Sequence, residues 1–190
     1  MKNIAIFGAS RAGKTTLARK INKIYPNYHI INGDSVRRAF EKELPQNNIN
    51  QYNGTGMKED FARFSATLFL DEIKRNKGYY NYIFDSCDVS VENALKYFKD
   101  DSIIIIFLGY SELTEQEALK NYRKYEKKTD WTFERTDEQL IQHAKTWINN
   151  SKTFKNDCIK NKVLYIDTSY NRDEILKNVE NKILKEIIET

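Results

Sequence analysis

The sequence predicts a three-layer α/β domain built on a parallel sheet, and the alternation of two kinds of segment carries that prediction. Five short runs are apolar throughout, as in parallel strands buried on both faces. They lie at 4–7, 28–31, 82–84, 103–108 and 163–166. Longer helical segments separate them at 14–24, 34–43, 58–77, 90–99, 112–128, 137–160 and 172–189. Strands that alternate with helices predict right-handed crossovers with helices on both faces of the sheet.

The segment 58–77 shows most clearly why these stretches are predicted to be helices. Its apolar residues recur at helical spacing, which gives one apolar face: Phe61, Phe64, Leu68, Phe69 and Ile73. The preceding stretch, 44–57, is polar and contains Pro45, Gly54 and Gly56. It is predicted to be a loop that moves near a site or covers it.

Length and composition restrict the classes of function. With 190 residues, 40% hydrophobic and 31% charged, the chain suits one domain with a real core. No apolar run approaches the roughly 18 residues of a membrane helix. Cys87 and Cys158 cannot form a disulfide framework or a paired zinc site, which predicts a reduced, cytoplasmic protein. The net charge of +4 permits an anionic substrate, but the mixed signs along the chain do not indicate nucleic acid.

Residues 8–15 read Gly-Ala-Ser-Arg-Ala-Gly-Lys-Thr and match the pattern G-x-x-x-x-G-K-[ST] in full. The glycines let backbone N–H groups wrap a phosphate, and the following helix N-terminus adds partial positive charge. Lys14 is predicted to contact the β- and γ-phosphates, and Thr15 to ligate magnesium. The cofactors expected are therefore ATP and Mg²⁺. The predicted nucleotide-binding residues are Gly8, Ala9, Ser10, Arg11, Ala12, Gly13, Lys14, Thr15 and Thr16.

A second group of polar residues follows the predicted strand at 28–31. Asp34 and Arg37 are three residues apart at a helix start, so they share one face. Because ligands gather at the carboxyl ends of parallel strands, Asp34 is predicted to accept a proton from a hydroxyl nucleophile. Arg37 is predicted to steady a phosphate. Alternatively, Asp34 caps the helix, and the two roles are compatible.

The predicted strand at 82–84 ends in Asp85, the setting of an acid that holds magnesium or orients an acceptor. The alternative is an ordinary aspartate in a turn, and Asp88 is a second candidate. Cys87 is interpreted as a packing residue, because no base partner for a thiolate is visible. His29 and His143 are interpreted as structural residues.

Lys14-Thr15, the pair Asp34-x-x-Arg37 about 20 residues later, and Tyr82-Ile83-Phe84-Asp85-Ser86 together resemble the small P-loop kinases. These include adenylate kinase, shikimate kinase, adenylylsulfate kinase, the zeta-toxin group and the 5′-polynucleotide kinases. The resemblance implies the P-loop NTPase fold with five parallel strands in the order 2-3-1-4-5. It further implies a single domain over 1–190, an acceptor-binding arm at about 34–77 and a lid at about 112–137.

One departure from the resemblance bears on the acceptor. Adenylate kinases place a Gly-Phe-Pro-Arg type segment after the Asp that ends their third strand. Here the segment reads Ser86-Cys87-Asp88-Val89, without an arginine. This weakens a nucleoside monophosphate as acceptor and brings the chain closer to hydroxyl-directed kinases.

The predicted lid contains many charges, most of which a solvated, salt-bridged helix face would explain. Phosphoryl transfer nevertheless needs cations near the γ-phosphate and the exclusion of water. The resembling kinases meet both needs with a mobile arm that bears arginines at this point of the chain. Arg123 and Arg135 are the arginines of this segment and are predicted to take part in catalysis.

The function predicted is a Mg-ATP-dependent kinase that transfers the γ-phosphoryl group to a small-molecule, nucleotide or nucleoside acceptor. The predicted catalytic residues are Lys14, Asp34, Arg37, Asp85, Arg123 and Arg135, with Thr15 and Asp85 as metal ligands. The alternatives are a polynucleotide 5′-kinase and a non-kinase regulatory P-loop ATPase. No membrane partner is expected, and the protein is predicted to be a monomer or a homodimer.

Overall fold

A computed structural model describes residues 1–47 and 58–188, and five strands alternate with seven helices over this part of the chain. The strands are β1 Asn3–Gly8, β2 Tyr28–Asn32, β3 Asn81–Asp85, β4 Ile103–Gly109 and β5 Leu164–Asp167. The helices are α1 Lys14–Ile24, α2 Gly33–Glu43, α3 Glu59–Arg75, α4 Val91–Tyr97, α5 Glu115–Lys124, α6 Asp137–Asn161 and α7 Arg172–Ile188. A single 3₁₀ turn, Pro45–Asn47, follows α2.

The strands form one parallel sheet in the order β2-β3-β1-β4-β5, which confirms the predicted fold. The register brings three strand ends together, because Asp85 of β3 pairs with Asn32 of β2 and with Ile6 of β1. Every loop that follows a carboxyl end therefore opens on the same edge of the sheet.

The core has one apolar layer on each face of the sheet, and the alternation of side chains along β1 divides them. Ile4 and Ile6 pack under α1, whereas Phe7 points to the opposite face. There the ring of Phe7 lies 4.9 Å from that of Phe98 and 5.4 Å from that of Phe107. This double burial explains why the strands read as unbroken apolar runs in the sequence.

The helix bounds differ from the predicted ones at a few ends, and local capping explains two of the differences. Asn32 caps α2 by accepting from the N–H of Ser35, so this helix begins at Gly33. The prediction at 112–128 is too long: Thr114 and Glu117 form a capping box that begins α5 at Glu115. Most of the predicted loop at 44–57 lies outside the described residues, since the structure describes nothing from 48 to 57.

Among the described residues, none of the helices combines the length and the apolar character that crossing a membrane requires.

Candidate active site

The phosphate loop connects β1 to α1, and its glycines are required by its shape. Gly8 has φ 117°, and a Cβ there would lie 1.9 Å from the carbonyl oxygen of Leu108. Only glycine therefore lets the loop leave β1 while β1 stays paired with β4. Gly13 has φ 105° and forms the left-handed N-cap of α1. Arg11, between them, also has a positive φ of 66°.

Lys14 is the first residue of α1 and lies within the phosphate loop. Its side chain is buried, and its Nζ donates a hydrogen bond of 2.7 Å to the carbonyl oxygen of Ala9. The ammonium group thus stands at the point toward which the helix N-terminus directs its partial positive charge. Both features favour an anion in the loop.

Thr15 and Asp85 meet across the gap between α1 and β3. The Thr15 hydroxyl donates to Oδ2 of Asp85 at 2.5 Å, and the carboxylate is only 3% exposed. Burial raises the pKa of Asp85 above its ordinary value, while the charge of Lys14 acts in the opposite direction. A hydroxyl oxygen beside a buried carboxylate is a donor set that suits magnesium, which prefers oxygen ligands.

Asp34 lies in the first turn of α2, facing the loop that follows β3. The capping alternative proposed for it is wrong, because the side chain of Asn32 caps this helix. Asp34, Cys87 and Asp88 bring their side-chain ligand atoms within 4.8 Å of one another. Burial and the nearby carboxylate of Asp88 raise the pKa of Cys87 well above its usual value. A thiol held protonated in this way is a poor nucleophile.

Arg37 is buried against the same loop. Its Nε lies 3.0 Å from Oδ2 of Asp88 and its Nη1 lies 3.2 Å from Oε2 of Glu41. Burial raises the pKa of Asp88, and the guanidinium of Arg37 opposes that shift. Arg37 is 4% exposed, and its contact with Asp88 joins α2 to the loop after β3. This contact helps to fix the position of Asp34, which lies in the first turn of α2.

One open cavity of about 370 Å³ is lined by the phosphate loop, Asp34 and Asp85, whereas Arg37 and Asp88 are not part of its lining. Its lining includes Lys14 and Thr15 together with Asp34, Asp85, Ser86 and Cys87. Its charged lining residues are five cations and three carboxylates among the described residues: Arg11, Lys14, Arg19, Lys127 and Arg172 against Asp34, Asp85 and Asp130. The excess of positive charge favours a polyanionic ligand such as a nucleotide triphosphate.

A sequence profile of one protein family, described as AAA domain, matches residues 1–120. The match includes β1 to β4, the phosphate loop and Asp85, and it spans more than half of the chain. The chain belongs to this AAA domain family.

Solved structures show the fold of this AAA domain protein along nearly the whole chain. A shikimate kinase from Bacteroides thetaiotaomicron is 16% identical with a TM-score of 0.57, covering 100% of this chain and 99% of that one. A gluconokinase from Sinorhizobium meliloti 1021 is 14% identical with a TM-score of 0.55, covering 98% and 97%. A deoxyadenosine kinase from M. mycoides with bound dATP is 18% identical with a TM-score of 0.50, covering 96% and 99%. The predicted resemblance to small P-loop kinases is thus confirmed for the fold. No curated protein matches the sequence.

The structure of the AAA domain protein places Arg123 and Arg135 outside the lining of the cavity. Arg123 instead cross-links the segment between α5 and α6. Its guanidinium donates to Asp137 at 2.7 Å, to Glu126 at 3.0 Å and to the carbonyl oxygen of Arg135 at 2.8 Å. Two other residues of this segment reach the phosphate loop at Arg11: Oδ2 of Asp130 lies 2.7 Å from Nη1 of Arg11, and the carbonyl oxygen of Tyr122 accepts from Nη2 at 3.4 Å.

Several cavity residues of the AAA domain protein were not among the predicted site residues: Arg19, Tyr125, Lys127 and Trp131. The guanidinium of Arg172 lies 4.2 Å from the centre of the Tyr125 ring and donates to the Thr16 hydroxyl at 3.3 Å. Arg19 could have been found, because it follows Thr15 by four residues and shares its helix face. Nothing in the local sequence pairs Tyr125 with Arg172.

Proposed function

We propose that this protein is a kinase that transfers the γ-phosphoryl group of Mg-ATP to a hydroxyl of a small-molecule or nucleotide acceptor. The observation that carries the proposal is that one cavity contains three separate chemical elements: the phosphate loop with Lys14, the Thr15 and Asp85 pair, and the carboxylate of Asp34. The kinase names of its structural neighbours support it.

The nucleotide half of the reaction belongs to the phosphate loop. In the proposed complex, Lys14 exchanges its hydrogen bond with the Ala9 carbonyl for one with a phosphate oxygen. Thr15 and Asp85 would hold Mg²⁺, which when bound neutralises charge on the phosphates. Arg172 and Tyr125, stacked beside Thr16, border the end of the cavity where the remainder of the nucleotide would lie.

The acceptor half belongs to Asp34. Its carboxylate lines the same cavity as Lys14, so an acceptor hydroxyl bound between Asp34 and the γ-phosphate could donate its proton to Asp34 as it attacks. Arg37 contributes by holding α2 and the loop after β3 together through Asp88. Since Arg37 is already paired within the protein, it is not proposed to grip an anionic group of the acceptor, and this favours a hydroxyl-bearing acceptor.

The segment 112–137 is proposed to act as a lid. Lys127, Asp130 and Trp131 of this segment line the cavity, and Asp130 joins it to Arg11 of the phosphate loop. Arg123 and Arg135 are proposed to contribute to transfer through this segment, because the bonds of Arg123 fix its shape. A lid closed over the phosphates would exclude water and so favour transfer over hydrolysis.

A metabolite screen for ADP production tests the proposal. The wild-type chain should produce ADP with Mg-ATP and one class of hydroxyl-bearing acceptor, and the Lys14→Ala variant should not. A screen in which no acceptor raises ADP production above the rate with ATP alone would contradict a kinase.

The second candidate is a regulatory P-loop ATPase, and the match to the AAA domain family favours it. Such a protein would transfer the γ-phosphoryl group to water, and it would release ADP and inorganic phosphate whether or not an organic acceptor is present. A polynucleotide 5′-kinase is the remaining alternative, and steeply salt-dependent retention on single-stranded DNA or RNA would distinguish it.

A further inference from the structure

A line of hydrogen bonds runs from α6 to Ser10 of the phosphate loop, and its other members are not part of the site described above. Nε1 of Trp147 lies 2.9 Å from Nε2 of His143, and Nδ1 of His143 lies 3.4 Å from the Tyr122 hydroxyl. That hydroxyl lies 2.7 Å from the hydroxyl of Tyr110, which donates to the carbonyl oxygen of Ser10 at 2.9 Å. Four contacts therefore join α6, α5, the residue after β4 and the phosphate loop.

The direction of every hydrogen bond in this line follows from the groups at its two ends, one of which can only accept and the other only donate. The Ser10 carbonyl can only accept, so the one hydroxyl hydrogen of Tyr110 is used there, and Tyr122 must donate to Tyr110. The hydroxyl of Tyr122 then has only lone pairs left for His143, which must donate from Nδ1. At the other end, an indole N–H can only donate, so Nε2 of His143 accepts from Trp147. Both ends require the same neutral tautomer of His143, with its proton on Nδ1.

The surroundings favour that neutral form. Burial lowers the pKa of His143 to about 4, and the positive charges of Arg11 and Arg135 act in the same direction. Tyr110 and Tyr122 are 3% and 2% exposed, and burial raises the pKa of each above its ordinary value. The line is thus uncharged at neutral pH, and its two tyrosines are sheltered from water, where hydrogen bonds are stronger.

The last bond of the line fixes one peptide group of the phosphate loop. The Ser10–Arg11 peptide is trans, so its C=O and its N–H point in opposite directions. A carbonyl held toward Tyr110 turns the Arg11 N–H away from that tyrosine. The left-handed conformation of Arg11, at φ 66°, is unfavourable for a residue with a side chain and needs such support. Besides the bond from Tyr110 to Ser10, a contact with Tyr122 supports this conformation, because Nη2 of Arg11 donates to the Tyr122 carbonyl at 3.4 Å.

We propose that His143, Tyr122 and Tyr110 are positioning residues, which hold the Ser10–Arg11 peptide in the orientation that binds the triphosphate. The inference rests on the proposed nucleotide binding. It also ties the loop to the cavity wall, because the ring of Trp131 lies 4.5 Å from that of His143. His143, interpreted from the sequence as structural, thereby acquires a role in the reaction through two tyrosines.

The tautomer is tested first, by ¹H–¹⁵N NMR of the histidine rings at neutral pH. The chain has two histidines, so a His29→Gln variant assigns the signals of His143. The expected spectrum has a protonated Nδ1 and an unprotonated Nε2. A proton on Nε2, or on both nitrogens, would overturn the inference.

Positioning is tested by the ATP dissociation constant of hydroxyl-deletion variants. Tyr110→Phe and Tyr122→Phe should each weaken ATP binding by about three- to ten-fold, the worth of one hydrogen bond. The matched control is Tyr82→Phe, which loses a 3.1 Å bond to Glu72 at a distance from the loop. It should lose thermal stability without losing affinity. His143→Phe should weaken binding as the tyrosine variants do, and His143→Asn, whose amide can still donate toward Tyr122, should recover part of the loss.

The outcomes separate this inference from the proposed function. If the wild-type chain binds ATP and Tyr110→Phe binds it equally well, or if Tyr82→Phe weakens binding as much, the positioning role is overturned and nucleotide binding stands. If the folded wild-type chain binds no nucleoside triphosphate, the proposed function fails, and the positioning role fails with it.

Discussion

Oδ2 of Asp85 lies 2.5 Å from the Thr15 hydroxyl, and this contact joins the end of β3 to the first turn of α1. It exists because the register of the sheet places Asp85 beside Ile6, one strand away from the phosphate loop. A buried carboxylate in that position needs a cation or a donor near it. Here it has the Thr15 hydroxyl and the charge of Lys14.

Replacing Lys14 by alanine should nearly abolish turnover while leaving the fold intact. Loss of one preorganised charge at the transferring phosphate typically costs about 3–4 kcal/mol in the barrier, and Lys14 is the buried lysine of the loop. Steady-state ADP production and the melting temperature are measured together. Lys23→Ala, in the exposed last turn of the same helix, is the matched control and should turn over normally. Wild-type turnover in Lys14→Ala would refute the phosphate-loop assignment.

Replacing Asp34 by asparagine should suppress transfer by about 100-fold or more, because the side chain keeps its size and loses its capacity to accept a proton. ATP affinity and the free energy of unfolding should stay near the wild-type values. The control is Asn32→Ala, which removes the cap of α2 and should cost about 1 kcal/mol of stability. If Asp34→Asn loses stability to the same extent as Asn32→Ala, its role is structural.

Replacing Asp130 by asparagine should tighten ATP binding by about three- to ten-fold. The carboxylate of Asp130 faces the phosphate cavity and occupies the guanidinium of Arg11, so its removal lowers repulsion and frees a cation. Titration calorimetry measures the change. Glu134→Gln removes the same charge from the same segment, outside the lining of the cavity, and should bind ATP as the wild type does. Weaker binding in Asp130→Asn would show that the ion pair supports the loop.

Replacing Arg123 by alanine should lower kcat by about 100-fold, because small misplacements of reacting groups are costly. The variant loses its bonds to Asp137, to Glu126 and to the carbonyl oxygen of Arg135, so the segment loses its fixed shape. ATP affinity should change less than kcat. Lys120→Ala, on an exposed position of the same helix, is the control. Equal kcat in both variants would show that Arg123 does not contribute to transfer.

The stability of the protein should fall as the pH decreases from about 6.5 to about 4, and His143 should contribute part of the fall. In this interval the unfolded chain binds a proton at this side chain, whereas burial in the folded state keeps it neutral. Protonation thus favours the unfolded chain. Denaturant unfolding at several pH values should give a flatter curve for His143→Phe than for the wild type. Parallel curves would contradict a buried neutral imidazole.

The sequence predicted the fold and the phosphate loop because both depend on local patterns. Unbroken apolar runs mark strands with two buried faces, and the pattern from Gly8 to Thr15 is contiguous. The strand order came from the resemblance to known kinases, and the sheet confirms it.

The rest of the candidate site depends on contacts between distant residues. Asn32, the last residue of β2, caps α2, so the helix begins at Gly33 and Asp34 does not have the capping role. Arg37 pairs with Asp88, 51 positions away, and Arg172 stacks on Tyr125, 47 positions away. No local spacing encodes such pairs, and the same holds for the line from His143 to Ser10.

Following labelled γ-phosphate distinguishes transfer to an organic acceptor from hydrolysis. Wild type, Lys14→Ala and Asp34→Asn are each incubated with labelled Mg-ATP and the acceptor found in the screen. We expect label in an organic product for the wild type and almost none for either variant. Label that appears entirely as inorganic phosphate, at a rate that the acceptor and Asp34→Asn leave unchanged, would contradict a kinase and would identify an ATPase.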